Sequence, residues 1–309
     1  MMSILVTGIN GFVGKHLARE LYNNNIKIYG CGLDSNLDES LLNVVAGFTS
    51  NCDLTHPKDV ARLPLKEVDA IINLAGLAQV GSSFGESEKY NSINIKVHTT
   101  VAEAIQNIKK PIRMVSVSTG AVYDNHQPMP LNETSDLIKE GSPYAQSKIA
   151  MENALQPFIE SGMDVVIARP FNHIGPGQLP GFLVPDLARQ IQQSSTLKVG
   201  NLKTRRDYTD VRDVARAYRL LATKPKLNHK IYNVCSGKSV VGESILKHLL
   251  NSFEKPNLDI IIDKTKVRPN DPQNIIGDNS RLTEETGWLP KIPLEATIND
   301  FVANLKMNS

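Results

Sequence analysis

Two residues four apart, Tyr144 and Lys148, carry the most specific chemistry in the sequence. They lie in Ser142-Pro143-Tyr144-Ala145-Gln146-Ser147-Lys148, where serine followed by proline is a helix start and proline's missing N–H costs nothing in the first turn. Four residues of helix put the phenol and the ammonium on one face. A neighbouring cation favours phenolate, so Lys148 is expected to draw the Tyr144 pKa down from its usual value of about 10. Such a tyrosine can pass a proton to and from a carbonyl/alcohol couple. An isolated tyrosine–lysine pair is often just surface. Here the helix follows a strand ending in Ser116-Val117-Ser118-Thr119, whose hydroxyls stand at the end of a parallel strand where open α/β sheets bind ligands. Thr119 or Ser118 can hold a substrate oxygen there. Turn formation or capping is the other reading of these hydroxyls, and a core-facing side chain that of Ser116.

The second constellation is Gly8, Gly11 and Gly14 in Ile4-Leu5-Val6-Thr7-Gly8-Ile9-Asn10-Gly11-Phe12-Val13-Gly14. An apolar strand runs into a glycine turn and then into Lys15–Leu21, which has helical periodicity. Bare backbone N–H groups at a helix N-terminus are what a pyrophosphate needs, and strand-before, helix-after is the context that turns a glycine triplet into a dinucleotide site. Asp34 follows Gly14 by about 20 residues, where an acid binds adenosine ribose hydroxyls. No Lys or Arg occurs between Lys27 and Lys58 to meet a 2′-phosphate. The cofactor expected is NAD(H), with NADP(H) open through Ser35 or Asn36, and Asp34 has a turn role as its alternative. Asp53 and Leu54 are candidates for the adenine contact.

These residues need a frame. Apolar runs alternate with helical patterns: Ile26–Cys31, Val44–Ser50, a short helix over Pro57–Leu63, Val68–Leu74, a long helix over Ser87–Lys109, Ile112–Ser118, the helix from Pro143, and Asp164–Ala168. That order predicts an α/β fold with a Rossmann-type doubly wound parallel sheet. Past Arg169 glycine and proline cluster, which marks the start of a smaller, mixed substrate-binding domain. The expected division is residues 1–169 plus about 211–236 for the dinucleotide, and 170–210 with 237–309 for the substrate. Lys230–Val234 is expected to return to the main sheet.

Bulk properties exclude several classes. With 34 basic against 32 acidic residues, the formal charge of +2 gives no field for nucleic acid or a membrane surface. The three cysteines, Cys31, Cys52 and Cys235, are scattered without a CxxC, so disulfide and zinc readings fail and buried thiols are expected. No run approaches the roughly 20 apolar residues of a membrane span, and no signal-like segment precedes the first strand. A cytoplasmic protein is expected.

Taken together, these motifs resemble the extended short-chain dehydrogenase/reductases that modify nucleotide-sugars. The likeness spans almost the whole chain: the glycine motif, Asn73-Leu74-Ala75-Gly76, Ser116–Tyr123, Tyr144–Lys148, Ala168–Gln178, Thr204–Val214, Tyr232–Gly237 and Thr286–Pro290. The resemblance implies Tyr144 as acid/base, Lys148 also on the nicotinamide ribose, and Thr119, with Ser118 beside it, at the family's Ser/Thr position. It implies cofactor contacts from Gly8, Asn10, Gly11, Phe12, Val13, Gly14, Asp34, Asp53, Leu54, Leu74, Ala75, Gly76, Pro170 and Phe171. Asn172, Val199 and Arg206 would face a nucleotide-diphosphate sugar, and Arg268 its diphosphate; an ordinary surface arginine is the other reading of Arg268. His173 is expected to fill a structural turn. A homodimer is implied, through a four-helix bundle of the helices near Ser87–Lys109 and Pro143–Ile159.

Within that family, a 4,6-dehydratase places an Asp–Glu pair after the catalytic threonine, where this chain has Gly120 and Ala121. Epimerisation beside the ketone uses a cysteine and a histidine, where Ala121 and Gln178 stand. What remains is hydride transfer at a sugar C4: net reduction of a nucleotide-linked 4-keto-6-deoxyhexose by NAD(P)H, or the reversible exchange of a 4-epimerase with retained NAD. A dinucleotide-binding sensor is a third class, but such relatives usually lack the Tyr–Lys pair.

Overall fold

The computed structural model describes residues 1–267 and 271–307. The first six strands are β1 (Ser3–Thr7), β2 (Lys27–Cys31), β3 (Gly47–Thr49), β4 (Ala70–Asn73), β5 (Arg113–Val117) and β6 (Val165–Pro170). Then come β7 (Asn172–Ile174), β8 (Thr196–Val199), β9 (Arg205–Asp210) and β10 (Ile231–Val234), followed by β11 (Ser239–Val241), β12 (Asp259–Ile262) and β13 (Asn274–Ile275). The expected parallel sheet is present: seven strands in the order β10-β6-β5-β4-β1-β2-β3, every neighbour parallel. The chain's third strand is shorter than its apolar run, Gly47–Thr49 against Val44–Ser50, because Val44 and Val45 turn back onto Leu41.

Helices cover both faces. They are α1 (Phe12–Asn23), α2 (Pro57–Val60), α3 (Val80–Ser83), α4 (Ser87–Gln106), α5 (Pro143–Glu160), α6 (Leu183–Gln193), α7 (Val211–Thr223), α8 (Gly242–Ser252), α9 (Ser280–Thr286) and α10 (Leu294–Met307). Alternate strand residues point to opposite faces. Ile4, Val6, Ile72 and Val115 pack against Leu17 and Leu21 of α1 and Val214 and Tyr218 of α7. Leu5, Ile71 and Met114 pack against Val97 and Val101 of α4 and Met151 and Leu155 of α5. Burial on both faces is why these strands read as near-continuous apolar runs. Cys31, Cys52 and Cys235 are buried and unpaired, as expected.

The later segments build a smaller assembly. β9 is flanked by β11 and β13 and also pairs with β7, while β12 pairs with β8. Its core joins α6, α8 and α10 through Leu187, Ile191, Leu249 and Phe301. Between the two parts, the ring of Phe12 at the start of α1 lies parallel to that of His173, with centroids 6.1 Å apart and planes 9° from parallel. His16, one turn later, bonds the Pro176 carbonyl at 2.8 Å. His173 thus fills a structural place, as the sequence suggested.

β10 returns to the large sheet as its edge strand, and side chains take the place of a further strand. The Asn233 N–H donates to Glu133 at 2.8 Å, and Arg281 donates to the Ile231 carbonyl at 3.0 Å. Glu133 and Arg281 are themselves an ion pair at 3.5 Å. Such caps satisfy backbone groups that would otherwise template another chain.

Candidate active site

The glycine motif sits where β1 ends, at the point where strand order reverses between β4 on one side and β2 on the other. Gly8 has φ +61°, a conformation that favours glycine. A Cβ on Gly14 would lie 2.5 Å from the Ile9 carbonyl oxygen, so only glycine lets α1 start this close to β1. The bare start of α1 that results fits a pyrophosphate. Leu74 and Ala75 donate their N–H groups to Thr7 Oγ1 at 3.0 and 3.1 Å, which bends the segment after β4 toward the same point. A Cβ on Gly76 would meet Asn94 at 2.8 Å and the Lys148 ammonium at 3.6 Å.

Asp34 is exposed beyond β2 and is held by Asn10, whose amide donates to its carboxylate at 3.0 Å and to the Asn36 carbonyl at 2.9 Å. Asn10 also accepts from the Asp38 N–H. This loop carries no basic residue of its own, but the fold brings Lys15 of α1 to it, which pairs with Asp38 and holds its carboxyl down at about 2. Asp53 accepts from the N–H and hydroxyl of Thr55, and Leu54 is buried beside it. Phe12 and Val13 open α1, Val13 against the core.

Tyr144 and Lys148 stand on the buried face of α5, whose first turn is capped by the Ser142 hydroxyl. Tyr144 is 8% exposed, and the Thr119 hydroxyl is the neighbouring side chain that favours its ionised form. Thr119 also caps the turn after β5 by accepting from the Ala121 N–H at 3.2 Å. The Lys148 ammonium donates to the Val117 carbonyl at 2.8 Å. Its burial lowers the pKa to about 8, against an opposing pull from Glu152. For Tyr144 the outcome reverses the sequence expectation: burial raises the pKa, and Thr119 only offsets it. Burial disfavours the charged phenolate, and the Lys148 ammonium spends its hydrogen bond on the Val117 carbonyl.

Ser118 also departs from its expected role. Its hydroxyl donates at 2.5 Å to the buried carboxylate of Glu152, so it faces away from any substrate oxygen. Ser116 turns into the core against His98. Pro170 ends β6, and Phe171 packs on Tyr123 and against Gly120, where a Cβ would lie 2.8 Å from the ring.

The expected substrate contacts divide. Asn172 is exposed, with its amide 3.4 Å from the Asp207 carbonyl. Arg206 is largely buried, paired with Asp271 at 2.6 Å and donating to the Pro272 carbonyl at 2.8 Å. Val199 is a correction: it is buried in the core beneath α6 and α8, because the alternation of β8 turns it inward. Arg268 lies outside the described residues. Two residues went unremarked in the sequence. Asn94 of α4 bonds the N–H and carbonyl of Leu77 and the hydroxyl of Ser147. Glu152 pairs with Arg169 at 2.5 Å in the interior. Its spacing from Lys148, another four residues, was the available signal.

The groups fit a nicotinamide dinucleotide and an oxygen-bearing carbon beside it. Among the described residues no cluster of side chains could hold a metal ion, and no helix is long and apolar enough to cross a membrane.

Comparison with known proteins agrees with this geometry. The model of the NAD dependent epimerase/dehydratase family matches residues 4–235. The chain is 31% identical to the GDP-6-deoxy-D-mannose reductase of Pseudomonas aeruginosa, over 97% of this chain and 96% of that one. It is 28% identical to a UDP-glucose 4-epimerase of Pisum sativum, over 96% and 93%. The structure of RMD from Pseudomonas aeruginosa complexed with NADPH superposes with a TM-score of 0.84 at 29% identity, covering all of both chains. Glycine cradle, parallel sheet and Tyr–Lys pair thus have one explanation: this chain belongs to the NAD dependent epimerase/dehydratase family.

Proposed function

We propose that the protein reduces the C4 ketone of a nucleotide-linked 4-keto-6-deoxyhexose, GDP- or dTDP-bound, in the making of an activated deoxysugar. The observation that carries this is Tyr144, held protonated by burial with Thr119 beside it, in a site with no acid or base after Thr119. A phenol kept neutral is poised to give a proton, which is what a ketone gaining hydride requires. The similarity to a GDP-6-deoxy-D-mannose reductase supports the same direction.

When bound, reduced nicotinamide supplies the hydride for C4. Tyr144 donates its phenolic proton to the ketone oxygen, and the Thr119 hydroxyl holds that oxygen in place. The Lys148 cation then steadies the phenolate and holds the nicotinamide ribose. Gly8, Gly11 and Gly14 would receive the pyrophosphate, and Leu74, Ala75, Gly76, Pro170 and Phe171 would also line the cofactor. Asp34, positioned by Asn10, would take the adenosine ribose hydroxyls, so NAD(H) is the cofactor read here; of the nearby cations, Lys15 is paired with Asp38 and Arg62 with Asp59. Asp53 and Leu54 flank the adenine. Asn172 and Arg206 face the nucleotide-sugar, and Arg268 its diphosphate.

In this reading residues 1–169 with 211–236 hold the dinucleotide, and 170–210 with 237–309 hold the sugar nucleotide. Two copies join through α4 and α5, which carry half-exposed Thr99, Ala150 and Ala154. The cytoplasm suits three unpaired thiols.

The relative that is a 4-epimerase keeps a second reading in view. Purified protein is incubated with 4-keto sugars plus NADH or NADPH, and separately with UDP-, GDP- and dTDP-hexoses without cofactor. Stoichiometric cofactor oxidation in the first is expected. Epimerised hexose in the second, with no oxidation in the first, overturns the reductase.

A further inference from the structure

Glu152 follows Lys148 by one turn of α5, as Lys148 follows Tyr144, so the three share a face. Its side chain is buried, and both carboxylate oxygens are occupied. One accepts from Ser118 Oγ at 2.5 Å and from Arg169 Nε at 3.0 Å; the other accepts from Arg169 Nη2 at 2.5 Å. Three segments therefore meet on one carboxylate: the end of β5, the end of β6 and the middle of α5. Ser118 is next to Thr119, and Arg169 precedes Pro170 and Phe171. The Arg169 guanidinium is also stacked over the Tyr123 ring, 4.9 Å from its centroid.

A buried ion pair is weak as a stabiliser, because desolvation offsets the attraction and apolar side chains often replace such a pair without loss. Its surroundings point elsewhere. The Lys148 ammonium donates to the Val117 carbonyl of β5, Tyr144 and Glu152 flank it along α5, His98 of α4 feels its charge, Glu152 is the anion that favours its charged form, and Arg169 of β6 is paired to that carboxylate. Burial holds His98 well below its usual range, so it is neutral. Arg169 is a cation and Tyr144 a neutral phenol. Among these groups only Glu152 is negative.

Resting on the Tyr144–Lys148 reading above, we infer that Glu152 is a positioning residue for that chemistry: it locks the Ser118–Thr119 turn and supplies the buried negative charge that faces the Lys148 ammonium. It touches neither substrate nor cofactor. Removing the charge leaves the buried Lys148 ammonium without that anion, and it gives up its proton at lower pH. Removing the bond to Ser118 frees the turn that aims Thr119.

The test is the pH profile of turnover. In Glu152→Gln the alkaline limb is expected to move to lower pH by about one unit, with the dissociation constant for NADH or NADPH at pH 6.5 changed by less than about threefold. Glu152→Asp restores the charge, so the limb returns toward its original position while kcat stays reduced. A Glu152→Gln enzyme with the original limb overturns the inference. Should that variant not fold with Arg169 unpaired, Ser118→Ala decides instead, since it leaves the ion pair intact. It is expected to lower kcat by about tenfold or more through the misplaced Thr119, with limb and cofactor binding unmoved. A kcat within about twofold of the original overturns the inference. Failure of the underlying reading looks different: Tyr144→Phe would keep its turnover.

Discussion

The Lys148 ammonium donates a 2.8 Å hydrogen bond to the carbonyl of Val117, the last residue of β5. One side chain thus ties the helix bearing the candidate acid/base to the strand that presents Thr119, and it does so in a dry place that makes its charge titratable.

The first expected outcome follows from that burial. Lysine is lowered from 10.5 to about 8, so the cation is populated below pH 8 and is lost above it, while Tyr144, raised by burial, stays protonated throughout. Turnover in the reductive direction is expected to hold steady at neutral pH and fall as pH rises through about 8. The stability contribution has the opposite sign. Between about 8 and 10.5 the unfolded chain binds the proton that the folded chain has released, so this group's cost to folding is relieved as pH rises. A pH–rate profile beside a pH series of denaturant titrations checks both.

Tyr144→Phe removes the proton and keeps the ring that fills the site. Turnover is expected to fall by about 100-fold or more, with cofactor binding nearly unchanged. Steady-state rates and fluorescence titration of NADH measure the two effects separately.

Gly14→Ala introduces a Cβ 2.5 Å from the Ile9 carbonyl and 2.6 Å from that of Gly8, both backbone atoms that cannot swing away. Overpacking of this kind costs about 1–3 kcal/mol, and α1 must back off from the pyrophosphate position. A lower denaturant midpoint and a weaker cofactor Kd are expected together; an unchanged Kd would show that α1 plays no part in binding.

Asp34→Ser removes the acid on the ribose side while leaving Lys15 and Asp38 in place. The ratio of kcat/KM for NADH over NADPH is expected to drop by about tenfold or more. An unchanged ratio would remove Asp34 from cofactor choice.

Much of this was legible in the sequence, for identifiable reasons. The parallel sheet showed because Ile4 and Val6 serve one core while Leu5 serves the other, which forces an unbroken apolar run. The glycine cradle and the Tyr144–Lys148 pair showed because their geometry is local, a turn and one helical step. What stayed hidden depends on contacts between distant segments. Lys15 reaches Asp38 only once α1 lies beside the loop after β2. The direction of Ser118 is decided by a carboxylate 34 residues away. Spacing gave the sign of the lysine's influence on Tyr144, but burial, a property of the whole packed core, decides which influence wins.

The capped edge at β10 bears on how the chain matures. Its two guards come from opposite sides in the chain, Glu133 before the strand and Arg281 50 residues after Ile231. A growing polypeptide therefore exposes a hydrogen-bonding seam from the moment β10 joins the sheet until the segment around Arg281 has been made. Only the finished C-terminal portion closes it. Chains cut short before Ser280 are expected to gather in insoluble material even though the large sheet is complete in them, and co-expressing the missing segment should recover part of them in solution.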